Sequence, residues 1–213
     1  MKVITAKSAG FCFGVKNAVQ TANKMAEQRR EGERLIMLGE LTHNEKVTAE
    51  LLSKGFEIIN DAKDVPEGST VIIRAHGVTP EQKRILNERN VKVFDCTCPF
   101  VEKIHKIVRD KASEGCEIIL TGTPGHPEVE GIKGESPDSV VVISSPEELE
   151  GIEYDPAKTV LISQTTFSTD TFAKICADIK NKIAKDQIFD TICSTTFCNI
   201  PYSINIFNIS FLK

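Results

Sequence analysis

Three of the seven cysteines, Cys12, Cys98 and Cys193, stand where a short apolar run gives way to a helical pattern. A thiol at a strand's end beside a helix N-terminus is biased toward thiolate, because free N–H groups and the helix dipole favour negative charge. The clearest case is Val93-Phe94-Asp95-Cys96-Thr97-Cys98-Pro99. Val91 to Phe94 reads as a buried strand, and Pro99 suits the first helical position, where its missing N–H has no partner to lose. Cys12 lies between Gly10 and Gly14, which permit unusual backbone angles and close approach by a bulky group. Cys12 on its own reads more readily as a buried free thiol in a turn. The nearly even spacing of the three cysteines would let three small α/β units each bring one thiolate to a shared centre. An odd cysteine count and no secretory leader favour metal, cluster or redox chemistry over a disulfide framework.

Three thiolates can hold zinc or an iron–sulfur cluster. Zinc draws thiolates from Cys-x₂₋₄-Cys pairs, and Cys96/Cys98 with Cys193/Cys198 make an irregular set of that kind. Widely separated single cysteines suit a cluster. Four normally saturate [4Fe–4S], so three leave one iron open to a substrate oxygen.

The polar candidates fall at similar junctions. His43 follows the apolar run Leu35 to Leu38, and His76 follows Thr70 to Arg74. Either is read alone as a cap or a rim residue; recurrence at equivalent places raises the interest of both. His126 and Glu128, in the loop Gly125-His126-Pro127-Glu128, can point an imidazole and a carboxylate into one space, which suits proton transfer or anion binding. The plainer alternative is a solvated turn. Thr165 and Thr166 follow the run Thr159 to Ser163 and offer hydroxyls to a phosphate or to a helix start.

The elements that must carry these residues alternate between strand and helix. Strands are expected at Lys2 to Ala6, Leu35 to Leu38, Thr70 to Arg74, Val91 to Phe94, Glu117 to Leu120, Val140 to Ile143, Thr159 to Ser163 and Ile188 to Asp190. Helices fill the gaps, among them one opened by Thr79 and Pro80 and one running from Ser168 to about Lys185. That alternation gives an α/β fold with mainly parallel sheets. The 213 residues include 40% hydrophobic and 26% charged side chains, ordinary values for a globular chain. A net charge of −4 argues against nucleic acid as the main partner. No run approaches membrane-spanning length, so no membrane partner and a cytoplasmic location are expected. From Phe197 onward the composition turns to Asn, Ile, Ser and Phe, with no charge before Lys213, and poor order is expected there.

Seven motifs in a fixed order carry a resemblance. They are Gly10-Phe11-Cys12-Phe13-Gly14-Val15, Thr42-His43-Asn44, Arg74-Ala75-His76-Gly77-Val78, Asp95-Cys96-Thr97-Cys98-Pro99, Gly125-His126-Pro127-Glu128-Val129-Glu130-Gly131, Gln164-Thr165-Thr166 and Asp190-Thr191-Ile192-Cys193. On these the chain resembles the 4-hydroxy-3-methylbut-2-enyl diphosphate reductases, the last enzymes of the methylerythritol phosphate route to isoprenoids. The resemblance implies three α/β domains around a central [4Fe–4S] cluster, here a first domain over 1–97, a second over 98–192 and a remnant of the third over 193–213. It implies Cys12, Cys98 and Cys193 as cluster ligands, with Cys96 a neighbour only. It also implies substrate contacts from His43, His76, His126 and Thr165, and proton delivery by Glu128. The implied reaction is removal of the allylic hydroxyl by two electrons and two protons, giving isopentenyl and dimethylallyl diphosphates, with a ferredoxin or flavodoxin as donor. Family members run well past the third cysteine, and Ser203 and Asn205 lie too close to Cys193 to stand for the family's later Ser/Asn cluster. A truncated chain with little activity is therefore the expectation, and a fragment that only binds diphosphate or cluster weakly is one alternative. A zinc-dependent hydrolase using His126 and Glu128 is the other.

Overall fold

The computed structural model describes residues 10–179 and 182–194. The expected strand at Lys2 to Ala6 and the tail from Phe197 lie outside the described residues. Two parallel sheets carry the fold. The first is built from β1 (Leu35–Leu38), β2 (Phe56–Ile59), β3 (Thr70–Ile73) and β4 (Lys92–Asp95), in the order β2-β1-β3-β4. The second is built from β5 (Glu117–Thr121), β6 (Val140–Ile143) and β7 (Thr159–Ser163), in the order β6-β5-β7. β1, β3 and β7 are buried along their whole length, which is why they read as unbroken apolar runs.

Both faces of each sheet are covered by helices. Leu35 and Met37 pack with Ala18, Ala22 and Met25 of α1 (Phe13–Glu27) and Leu51 of α2 (Glu45–Ser53). Ile36 and Leu38 point the other way, onto Ile85 and Leu86 of α3 (Pro80–Glu88). In the second sheet Ile118 and Leu120 meet α4 (Pro99–Ser113) and α5 (Pro127–Lys133), whereas Ile119 meets α6 (Pro146–Glu150) and α7 (Thr169–Ile179). The period-two alternation along each strand divides each core into two layers.

Several local expectations change. The loop read around His126 is a helix: Pro127 stands at its first position and Glu128 and Glu130 occupy its first turn, where the dipole favours carboxylates. The strand β2 went unread because its four residues include Glu57 and alternate weakly. Ile188 makes a single parallel bridge to Leu161 and no full strand. The last long helix is described only to Ile179. In the motif Thr42-His43-Asn44 the cap is Asn44, whose side chain accepts from Lys46 N and Val47 N at the start of α2.

Candidate active site

Strand order places the site. In the first sheet the chain winds from β1 outward to β2, then back across to β3 on the other side of β1. The order therefore reverses between β1 and β3, and a crevice opens beyond their C-terminal ends. His43 lies on the loop after β1 and His76 on the loop after β3. The second sheet reverses between β5 and β7, and the segments after these strands carry His126 with Glu128, and Thr165.

These residues meet. The ring centroids of His43 and His76 are 5.1 Å apart, those of His43 and His126 5.8 Å, and those of His76 and His126 5.3 Å. One ligand nitrogen from each lies within 4.8 Å of the other two, so a single bound group can touch all three. His126 caps α5, its Nδ1 accepting from Glu128 N at 3.1 Å. That bond fixes the neutral ring as the Nε2–H tautomer and leaves Nε2–H as its donor. His76 is mostly buried, and its Nδ1 has no hydrogen-bond partner. Burial and the neighbouring His43, His126 and Arg74 depress its pKa to about 3. Burial, His43 and Arg74 depress that of His126 as well. With nothing bound, the His76 ring is therefore neutral at pH 7.

Glu128 is 1% exposed. Its carboxylate accepts from Thr165 N at 2.6 Å and from Thr165 Oγ1 at 2.8 Å. Burial raises its pKa, against the opposing pull of the two Thr165 bonds and of His105. A carboxyl raised by burial holds its proton closer to neutral pH, as a general acid requires. The pairing expected between His126 and Glu128 takes another form: the imidazole bonds the backbone N–H of Glu128, and the carboxylate bonds Thr165.

The three thiols approach the same region. Cys12 and Cys98 are the N-cap residues of α1 and α4. Cys98 N donates to Ala75 O at 2.9 Å, which ties it to the His76 loop, and Cys193 N donates to Thr165 O at 2.8 Å. Burial pushes the Cys98 thiol up, the N–H groups of Phe100 and Val101 pull it down, and Cys193 and Cys12 push it up again. Both other cysteines are therefore electrostatic neighbours of Cys98. Yet among the described residues no three thiols have sulfurs within 4.8 Å of one another. A single zinc ion would need them about 4 Å apart, from Zn–S bonds of about 2.3 Å. Three thiols are the kind of donor set that an iron–sulfur cluster takes. Gly14 leaves room beside it, since a Cβ there would lie 3.0 Å from Cys98 Sγ. Cys96 faces away, buried in the first core with a hydrogen bond to Thr21, and Cys198 lies outside the described residues.

Two residues that sequence reasoning passed over belong to this neighbourhood. His105 on α4 is buried, with Nδ1 2.6 Å from Glu135 Oε1, and its ring lies against Gly77 and Gly131. Arg74 follows β3 directly and acts on both His76 and His126. No periodic or spacing signal marks His105; Arg74 stands inside a quoted motif.

The chain was compared with known proteins. A family model described as LytB protein matches residues 3–202. A curated relative from Clostridioides difficile, named 4-hydroxy-3-methylbut-2-enyl diphosphate reductase, is 37% identical over 197 residues, covering 92% of this chain and 70% of the relative. One of the same name from Acidothermus cellulolyticus is 37% identical over 198 residues, covering 92% of this chain but 58% of its own length. A solved structure, the E-1-hydroxy-2-methyl-but-2-enyl-4-diphosphate reductase from Plasmodium falciparum, superposes with a TM-score of 0.80 at 30% identity, covering 88% of this chain and 59% of that one. The chain thus spans between about three-fifths and seven-tenths of the length of these proteins. With the family model matching nearly end to end, the chain belongs to the LytB protein family.

Proposed function

We propose that this chain forms the cluster- and substrate-binding part of a reductase that removes the hydroxyl of 4-hydroxy-3-methylbut-2-enyl diphosphate. The observation that carries the reading is the convergence of three imidazoles, the Glu128–Thr165 pair and three thiols on the C-terminal ends of two sheets. The names of the relatives support the same reaction. Cys12, Cys98 and Cys193 would hold a [4Fe–4S] cluster. When bound, it supplies electrons one at a time and an iron open to an oxygen ligand.

The chain's own residues do the rest. His43, His76 and His126 hold the diphosphate; Nε2–H of His126 is a ready donor, and an arriving anion favours protonation of the rings around it. Thr165 fixes the carboxyl of Glu128 through two hydrogen bonds and keeps it beside the reacting end of the substrate. Glu128 holds the proton that leaves with the hydroxyl as water. The balance is one C–O bond broken, one C–H bond formed, two electrons and two protons consumed. The product is isopentenyl or dimethylallyl diphosphate. A ferredoxin or flavodoxin suits the single-electron supply. Division into units over 1–97, 98–192 and from 193 onward belongs to the same reading, because each unit then brings one thiol.

Anaerobic reconstitution tests the proposal. Iron and acid-labile sulfide in near-equal amounts, a broad visible absorbance, and turnover of the allylic diphosphate with a one-electron reductant are expected. Colourless protein, or zinc without sulfide, would overturn it.

A further inference from the structure

The histidine triad has a charge problem as a diphosphate site. The rings oppose one another's protonation, and a diphosphate brings at least two negative charges. A fixed cation is needed, and three of the chain's arginines are committed to carboxylates elsewhere. Arg34 pairs with Glu57, Arg84 with Glu81 and Glu88, and Arg109 with Glu102 and Glu135.

Arg74 makes no ion pair with any described carboxylate, and its Nε is buried without a hydrogen-bond partner; Arg89 shares both features, but its Nη1 donates to Lys63 O, whereas Arg74 stands beside the histidines. Glu40 acts on it only from a distance. The guanidinium lies over Gly39, where an added Cβ would come within 2.5 Å of Nη1 and 3.0 Å of Cζ. Gly39 also has φ +72°, so backbone and packing both require glycine there. β1 and β3 are adjacent, with Leu38 opposite Ile73, so Arg74 and Gly39 lie side by side at their C-terminal ends. Beyond those ends lies the crevice whose two loops carry His43 and His76. Arg74 O also accepts from Gly77 N at 3.0 Å, closing the turn that presents His76. An unpaired, half-buried guanidinium costs stability, a common mark of a group kept for a ligand.

We propose that Arg74 is a diphosphate-binding residue: the fixed positive charge at the β1/β3 crevice that draws the anion onto the three histidines and holds it there. The assignment rests on the triad being the diphosphate site. Arginine suits the task because its planar fork offers several donors to phosphate oxygens and never deprotonates at working pH.

The test is calorimetric titration of inorganic diphosphate into the 213-residue chain at two salt concentrations, with R74Q and R74K beside it. R74Q is expected to weaken binding by about tenfold or more and to flatten its salt dependence, whereas R74K retains most of the affinity. The thermal midpoint of R74Q should equal or exceed that of the parent, since a half-buried unpaired charge is removed. Equal affinity in R74Q and the parent would overturn the role of Arg74 and leave the histidine pocket standing. No binding by the parent at millimolar diphosphate would overturn the pocket itself, and Arg74 with it. Weak binding in both variants with a lowered midpoint would mark the residue as structural and also overturn the proposal.

Discussion

At the scale of single residues, the site works by mismatched environments. Glu128 is pushed toward its protonated form by burial, and His76 toward its neutral form by burial and neighbouring positive charge. The same burial therefore pushes a carboxyl toward holding its proton and an imidazole toward losing one. E128Q preserves the shape of the side chain and an acceptor for Thr165 N but removes the transferable proton. In cluster-loaded protein it should lower turnover by about 10²- to 10⁴-fold while leaving inorganic diphosphate affinity unchanged. T165V removes the hydroxyl bond that favours the ionised carboxylate, so the Glu128 titration followed by infrared or carbon NMR should move further up. His76 gives a pH signature. Its pKa is about 3 in the fold against 6.5 for a free ring, so the unfolded chain binds a proton the folded one refuses. Stability should therefore fall as pH drops from about 6.5 toward 3, and H76N should flatten that part of a denaturation-versus-pH profile. Diphosphate binding reverses the sign: near pH 6 it should take up protons, visible in calorimetry as a dependence on buffer ionisation enthalpy.

At the scale of elements, helix starts do most of the positioning. Asn44, Thr79, Cys98 and His126 all stand as N-cap residues; Cys98 and His126 are site residues themselves, His43 precedes Asn44 directly, and Glu128 lies two residues past His126. N44A should cost about 1 kcal/mol, read from chemical denaturation, and should weaken diphosphate binding because His43 loses its anchored neighbour. α4 is tied to the segment just past α5 by a buried pair. His105 and Glu135 are 1% and 5% exposed, and Arg109 shares Oε1 of Glu135 at 2.8 Å. E135A leaves the buried His105 Nδ1 without its partner and should destabilise the fold by about 3 kcal/mol in the same measurement. The helix Pro127–Lys133 also explains a sequence misreading. A run of Gly, Pro and His resembles a loop, yet proline at the first helical position, a capping histidine and two early glutamates are helix-start chemistry.

At the scale of the whole molecule, the loops beyond two sheets bring three imidazoles together, and Cys12 and Cys193 from distant parts of the chain act electrostatically on Cys98. On the proposed function, the cluster requires all three thiols. C12S, C98S and C193S should each abolish iron and sulfide incorporation, whereas C96S should leave it intact and cost about 1 to 2 kcal/mol for a hydroxyl placed in an apolar core. The sequence by itself determined much of this. Parallel strands were legible because β1, β3 and β7 are buried on both faces and so consist of unbroken apolar runs. The cysteines, histidines, Glu128 and Thr165 were legible because strand-to-helix junctions concentrate unpaired N–H groups, and reactive side chains gather where those groups lie. Strand order was not legible, since periodicity reports which face of a strand is buried and nothing about which strand lies beside it. Only the tertiary structure placed β3 next to β1, and β7 next to β5. That order brings His43 to His76 and Glu128 to Thr165, and leaves Arg74 in the crevice between two loops with no carboxylate of its own.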